Sequence, residues 1–364
     1  MPTPRNWPDH AEPSRSRIVF AAAHVVADAA AAQPVAGPAR LDWDATLRFR
    51  HRLWSLGLGV ADALDTAQRG MGLDWPAARE LIRRSGAEAR AGGGRLCCGA
   101  GTDQLPAGRV GLGDIVAAYE EQLEAVEQAG AQPVLMCSRA LAASARGPDD
   151  YAKVYGTLLS QVRRPVILHW LGDMFDPALH GYWGAADLDV AAGNVLAIIG
   201  EHADKVDGIK VSLLDAGREV ALRRRLPPGV RLYTGDDFNF AELIAGDEQG
   251  FSHALLGVFD PLAAPVAVAL ELLDAGDVAG FRGVLDPLVP LARHIFAPPT
   301  QFYKTGVVFL AYLSGYQDHF VMVGGQQNGR DRAHLAGLFR LAADAGLFPD
   351  AGLAADRMRQ FLDD

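Results

Sequence analysis

The chain has 364 residues, 49% of them hydrophobic, and a formal net charge of −10. That apolar content is ample for a full core, and the length suits one large α/β barrel plus an extension, a barrel alone taking about 250 residues. The acidic balance argues against nucleic acid or an anionic membrane as partner, and no apolar run approaches the roughly 18 residues that a bilayer span needs.

Residues 1–16 are polar and proline-rich and read as an N-terminal arm. Arg15 and Arg17 precede an apolar run, Ile18 to Ala23, that superficially resembles a secretory leader, but His24 and Asp28 interrupt it. The run therefore reads as a first strand. Short apolar runs then recur at 17–23, 58–64, 95–99, 133–137, 165–170, 207–213, 231–234 and 252–258. Between them lie amphipathic stretches with apolar residues at i, i+3, i+4 spacing, at 43–56, 75–86, 113–130, 148–162, 190–203 and 238–245. Continuous apolar strands alternating with helices eight times predict a (β/α)8 barrel over 17–275. A doubly wound open sheet is the alternative, but no glycine-rich dinucleotide turn follows the first strand. After Val258 only helical patterns remain, at 261–275, 278–296, 303–313 and 330–345. The first closes the barrel, and 276–364 reads as a helical C-terminal extension. Cys97 and Cys98 are adjacent and Cys137 stands alone, a pattern that suits buried residues in a reducing cytoplasm rather than a disulfide framework.

Of 34 basic residues only Lys153, Lys205, Lys210 and Lys304 are lysine; the other thirty are arginine. Lys210 sits inside the apolar sixth strand. Arg cannot lose its proton near neutral pH, whereas a desolvated Lys can, and a neutral amine is what a Schiff-base nucleophile requires. The bland alternative is a strand-end lysine that reaches solvent or pairs with Asp207 or Asp215. In a barrel of this type the strands' C-terminal ends form the active site. Those ends carry His24, Asp62, Asp65, Thr66, Thr102, Asp103, Ser138, Arg139, His169, Lys210, Ser212, Asp236 and Asp237. His169 ends the neighbouring strand and is the first candidate for a proton shuttle. Lys304 lies in a helix of the extension and reads as a surface or interface residue. The aromatic segment with Trp170, Phe175, Tyr182 and Trp183 suggests a lid or a subunit contact, and the 324–329 loop a helix connection.

The segment Gly208-Ile209-Lys210-Val211-Ser212-Leu213-Leu214-Asp215 resembles the Gly-Ile-Lys-x-Ser-x-x-Asp strand of the dihydrodipicolinate synthase / N-acetylneuraminate lyase superfamily of class I aldolases. Tyr233-Thr234-Gly235-Asp236-Asp237 resembles its Ser-Gly-Asp-Asp turn after strand seven. Residues 303–315 resemble a helix of its C-terminal domain, and 335–347 its terminal helix. The match is collinear from about residue 40 to 350, and more narrowly the chain resembles an uncharacterised branch of unknown function. The resemblance implies a TIM barrel, a Schiff base on Lys210, no organic cofactor, and a homodimer or homotetramer. Where the superfamily carries Gly-Thr-Thr-Gly-Glu to hold a pyruvyl carboxylate, this chain has Asp62-Ala63-Leu64-Asp65-Thr66-Ala67. Where it carries Tyr-Asn-x-Pro-x-Arg, this chain has His169-Trp170-Leu171-Gly172-Asp173-Met174.

The sequence thus predicts a Schiff-base aldolase or lyase acting on a small carbonyl compound, a keto acid or a sugar derivative. Lys210 and His169 are the expected catalytic pair, with Asp65, Thr66, Ser212, Asp236 and Asp237 contacting substrate. Two alternatives stay open. His24, Asp62, His169 and Asp236 could hold a divalent metal for a sugar isomerase, epimerase or class II aldolase. The barrel could also be non-catalytic.

Overall fold

The computed structural model describes residues 6–35 and 37–363; residues 1–5 of the expected arm lie outside the described residues. Eight parallel strands close into a barrel in sequence order, each strand pairing with the next and the eighth with the first. The elements run β1 (Val19–Ala22), α1 (Trp43–Ser55), β2 (Gly59–Asp62), α2 (Trp75–Gly92), β3 (Leu96–Ala100), α3 (Leu112–Gln128), β4 (Gln132–Leu135), α4 (Arg139–Ser144), α5 (Pro148–Gln161), β5 (Val166–Leu171), α6 (Leu188–Glu201), β6 (Val206–Ser212), α7 (Ala216–Arg223), β7 (Arg231–Thr234), α8 (Phe240–Ala245), β8 (His253–Leu256) and α9 (Ala263–Asp274). The (β/α)8 architecture is thus as the alternation predicts, and the apolar run after Arg17 forms the first barrel strand. The short α4 and α7 carry too few turns for their apolar period to stand out in the sequence.

Side chains alternate across each strand, so one set fills the barrel and the other packs under the helices. Phe20, Ala22, Ala61, Cys97, Val134, Ile167, Tyr233 and Leu255, with Leu64 just beyond β2, form the inner cluster, which draws on every strand except β6. The level of β6 paired with Ile167 carries Gly208, where a Cβ would meet the Tyr233 ring at 2.8 Å. The large Tyr233 occupies the space that Gly208 leaves. The described part of the arm is anchored: Ser14 Oγ and the Ser16 amide donate to Asp274 Oδ1, each at 2.9 Å.

The extension adds α10 (Val278–Leu285), α11 (Val289–Ile295), α12 (Tyr303–Leu313), α13 (Arg332–Asp344) and α14 (Ala351–Asp363). The single helix expected over 278–296 is broken by a 3-10 turn at Asp286–Leu288, where Pro287 and Pro290 each remove an amide donor. The helix resembling a terminal one is followed by α14. The extension folds over the barrel mouth. Gly72, in the loop after β2, lies so close to Gly324 that a Cβ there would stand 2.9 Å from its Cα. Among the described residues no helix is long and apolar enough to cross a membrane.

Candidate active site

β6 carries Lys210 one level above Gly208, toward the strand's C-terminal end, and pairs it with His169 on β5 and Tyr233 on β7. The side chain is 4% exposed. Both bland partners are engaged elsewhere: Asp207 pairs with Arg231 and accepts from the Tyr233 hydroxyl (2.6 Å), while Asp215 caps α7 through the Arg218 amide (3.0 Å). The rim of the barrel above Lys210 is built of small residues. At Gly235 a Cβ would fall 2.2 Å from Ser212 Oγ and 2.8 Å from Lys210 Cε. The lysine stem therefore lies directly against the backbone leaving β7. Ala63 and Leu214, neither a glycine, take left-handed backbone just beyond β2 and β6 (φ 52 and 55). Such outliers cluster where a chain is bent to present functional groups.

The turn after Ala63 presents Asp65 and Thr66. Thr66 Oγ1 and the Tyr303 hydroxyl are 2.6 Å apart, so the extension's α12 touches the β2 loop directly. Burial alone would push the Asp65 carboxyl up. The neighbouring Lys210, the His169 ring and Lys304, with a hydrogen bond from Tyr303, outweigh it and hold the group below its usual range. Its Oδ1 is buried and has no hydrogen-bond partner. His169 is buried, with Nε2 3.2 Å from Ser212 Oγ. Desolvation, reinforced by Lys210 and opposed by Asp65, drives its pKa well below the ordinary histidine value. Burial thus favours the neutral imidazole.

A cavity of about 530 Å³ opens beside these groups, on the side of the mouth formed by the ends of β2 to β5. Asp65 and His169 form its inner wall, with Arg69, Thr102, Arg139 and Asp176 around it. Lys210 is not itself on that wall, but its strand partner His169 is. Arg69 is spent on local contacts, with Asp103 at 2.6 Å and the carbonyl oxygens of Ala63 (3.1 Å) and Gly99 (2.9 Å). Arg139 pairs through Nε with Asp176.

Several expected site residues are deployed differently. Asp236 accepts from the Phe238 and Asn239 amides (2.9 and 3.0 Å) and from Asn239 Nδ2 (2.8 Å). Its carboxylate thus shapes the turn after β7. Asp237 accepts from the Val258 amide at 2.8 Å and ties that turn to the end of β8. Burial pushes its pKa well above the usual carboxylate range, against the pull of that amide and of Lys210. The alternative metal set is not brought together. His24 is held between Asp260 (2.8 Å) and Gln317 (2.9 Å), and Asp62 points outward into a buried pair with Arg50 (2.8 Å) and Ser85 (2.5 Å). Among the described residues no cluster of His, Cys, Asp or Glu has the geometry to hold a metal ion.

Lys304 is the largest departure from the sequence reading. It is 3% exposed, buried over the mouth rather than on a surface. Desolvation draws its amine down to about 8, partly offset by Asp65. The signal was available, because Lys304 shares with Lys210 the rarity of lysine in an arginine-rich chain. Tyr303 next to it likewise escaped notice. The aromatic segment after β5 also differs from a lid: Tyr182 and Trp183 are buried, and the Tyr182 hydroxyl lies 2.9 Å from that of Tyr155 on α5. Only Phe175 leans toward the extension, edge-on to Phe296 and Tyr303.

Comparison with solved structures places the fold among dihydrodipicolinate synthases. YagE, a prophage protein of the dihydrodipicolinic acid synthase family from E. coli K12 solved with pyruvate, superposes with a TM-score of 0.71 at 14% identity, covering 92% of this chain and 100% of its own. Dihydrodipicolinate synthase from Aquifex aeolicus gives 0.69 at 12% identity, covering 91% and 99%, and that from Thermotoga maritima 0.68 at 14%, covering 91% and 99%. No curated protein matches the sequence. The chain belongs to the family described as a protein of unknown function, DUF993, whose model matches residues 1–364.

Proposed function

We propose that this protein is a Schiff-base, class I aldolase or lyase acting on a small carbonyl compound, with Lys210 as nucleophile. The observation that carries the reading is the buried Lys210 amine on β6, in register with His169 and within the field of Asp65, at the end of the barrel where the cavity opens. The neutral amine attacks the carbonyl carbon and the carbinolamine loses water. The protonated imine then draws electrons from the adjacent bond as it forms or breaks. Because the lysine is itself the electron sink, no organic cofactor is invoked.

In this reading Gly235 and Ser212 fix the lysine stem. His169 takes part as a neutral imidazole that hydrogen-bonds the substrate oxygen. Asp65 and Thr66 take substrate hydroxyls; the unpartnered Asp65 Oδ1 is an acceptor in need of a donor. A hydroxylated keto acid or sugar derivative fits that lining, and YagE's pyruvate makes a keto acid one of the compounds to try. We expect a cytoplasmic homodimer or homotetramer, which light scattering checks.

The test is borohydride reduction in the presence of a panel of keto acids and keto sugars, followed by peptide mass mapping. A substrate-dependent adduct on Lys210, absent from Lys210→Ala, is expected. An adduct that persists in Lys210→Ala, or none on Lys210 with any member of the panel, would sink the reading.

A further inference from the structure

The cavity at the mouth offers polar groups to a ligand at one end only. Its volume of about 530 Å³ is ordinary for a small-molecule site. Of the charged side chains on its wall, Arg69 and Asp103 hold each other at 2.6 Å, and Asp103 Oδ1 also accepts from Gln122 Nε2 at 3.0 Å. Asp176 is taken by Arg139 on one oxygen and by the Ala178 amide on the other (3.2 Å). The Thr102 and Ser138 hydroxyls pair at 2.6 Å, and Ser138 Oγ further accepts from the Leu141 amide at 3.0 Å. Asp65, at the inner end, is the carboxylate on this wall with an unpartnered buried oxygen. Arg139, whose side chain is 59% exposed, marks the outer rim. Side-chain capacity for a buried polar ligand is therefore concentrated beside Asp65 and His169.

Between that end and the rim the wall is hydrocarbon. Leu171 stands two residues beyond His169 on β5, so its side chain shares the inward face one level higher. Met136, leaving β4, lies across bare backbone: a Cβ at Gly99 would meet its Sδ at 2.8 Å, and one at Gly101 its Cε at 3.0 Å. Ala140 and Ala143, three residues apart on α4, turn the same face of that helix to the cavity. Leu105 from the loop after β3 and Leu179 from the turn after β5 close the sides. A run of hydroxyls laid along this wall would be buried without partners, which is costly, whereas apolar surface is favoured there.

We propose that the carbonyl compound carries an apolar body of aromatic-ring size, which lies along Leu171, Met136 and the two α4 alanines, with its hydroxyl groups confined to the atoms next to the carbonyl. The inference rests on the Schiff-base reading for the place of the carbonyl and narrows its substrate class. Among keto acids and sugar derivatives, those with a hydrocarbon tail are selected over polyhydroxylated ones. Ala143 is the specificity-determining position: a small side chain there keeps the space open, and a large one would occupy it.

The test uses the cavity's own methionine as reporter and alcohols as probes, because an alcohol forms no imine and its binding is independent of Lys210 chemistry. The protein is labelled with 13C at the methionine methyls, the Met136 signal is assigned through Met136→Leu, and Met358 on α14 serves as the distant reference. Benzyl alcohol and glycerol are titrated in separately. Benzyl alcohol should move the Met136 methyl saturably, and glycerol should not at the same concentrations. Along the series propanol, butanol and pentanol the dissociation constant should fall about fourfold per methylene. Ala143→Trp should weaken benzyl alcohol about tenfold or more, with urea unfolding to show that the variant is folded and Ala143→Leu as the smaller intrusion if it is not. Glycerol binding as tightly as benzyl alcohol, or benzyl alcohol binding a folded Ala143→Trp or Ala143→Leu protein unchanged, overturns the inference. In a second arm, 4-phenyl-2-oxobutanoate should reach half-maximal borohydride trapping on Lys210 at a concentration about tenfold or more below that of pyruvate. Trapping of neither compound counts against the Schiff-base reading alone, since the alcohol titrations still decide what the cavity prefers. Equal trapping of the two counts against the apolar body while leaving Lys210 as the nucleophile.

Discussion

Gly235→Ala is the sharpest probe of the geometry. Gly235 does not have a left-handed φ, so the backbone tolerates alanine and only the added methyl acts. That methyl would lie 2.2 Å from Ser212 Oγ, 2.8 Å from Lys210 Cε and 2.9 Å from the Val211 carbonyl oxygen. Ordinary carbon contacts need about 3.5–4.0 Å, so the lysine stem or the strand must give by roughly 1 Å. The serine can change rotamer. The lysine is fixed on one side by the strand pairings and must swing or retreat. Overpacking of this kind costs about 1–3 kcal/mol of stability. A displacement of about 1 Å at a reacting atom costs on the order of 100-fold in rate. The expectation is a folded protein with a modestly lowered urea midpoint and borohydride trapping on Lys210 slowed about 100-fold, read by mass mapping with the best carbonyl of the panel. Wild-type trapping in a folded Gly235→Ala protein would falsify the placement of the lysine against this turn.

Three further outcomes follow from buried groups. The His169 ring, held neutral by desolvation, should show no NMR titration between about pH 6 and 9, whereas a midpoint near 6.5 would mean that the ring is solvated. Glu219 is buried beneath Thr234 and Ser252, whose hydroxyls donate to it at 2.9 and 2.7 Å, and burial raises its pKa to about 8. The folded protein therefore holds this proton where the unfolded chain has released it. Stability should fall as pH rises from about 4.5 through 8, and Glu219→Gln should flatten that decline by a few kcal/mol in urea titrations at pH 5 and pH 9. Arg50→Met strands Asp62 as a lone buried carboxylate and should cost about 3–5 kcal/mol in the same assay, whereas an effect below about 1 kcal/mol would show that water reaches the pair.

The barrel was legible because its signal is repeated. Buried parallel strands write themselves as apolar runs, and eight such runs separated by helical periods leave few other architectures. Lys210 was legible because a lone charged residue inside such a run is conspicuous. The failures have a common cause. Whether a strand-end carboxylate faces the mouth, caps a turn or backs into a helix depends on one step of strand parity or one turn dihedral. Asp62, Asp65 and Asp236 look equivalent in sequence, yet Asp62 meets Arg50, Asp236 braces Asn239, and Asp65 keeps a buried oxygen without a partner beside the cavity. Lys304 and Tyr303 were missed because nothing in their own helix marks them. Their role arises from the docking of α12 on the β2 loop, a contact spanning 237 residues between Thr66 and Tyr303.

That long contact bears on how the protein comes into being. Synthesis proceeds from the N-terminus, so all eight strands are made before Tyr303 and Lys304 exist. A nascent barrel would present Lys210 and its mouth to the cell with neither roof nor second amine in place. Arrival of α12 would cover the mouth and bring Tyr303 to Thr66. A chain stopped short of residue 303 is accordingly expected to close its barrel yet leave its mouth uncovered. The extension is then the last-delivered part of the mouth, and exchanging it between related barrels would change the wall that carries Lys304 along with the shape.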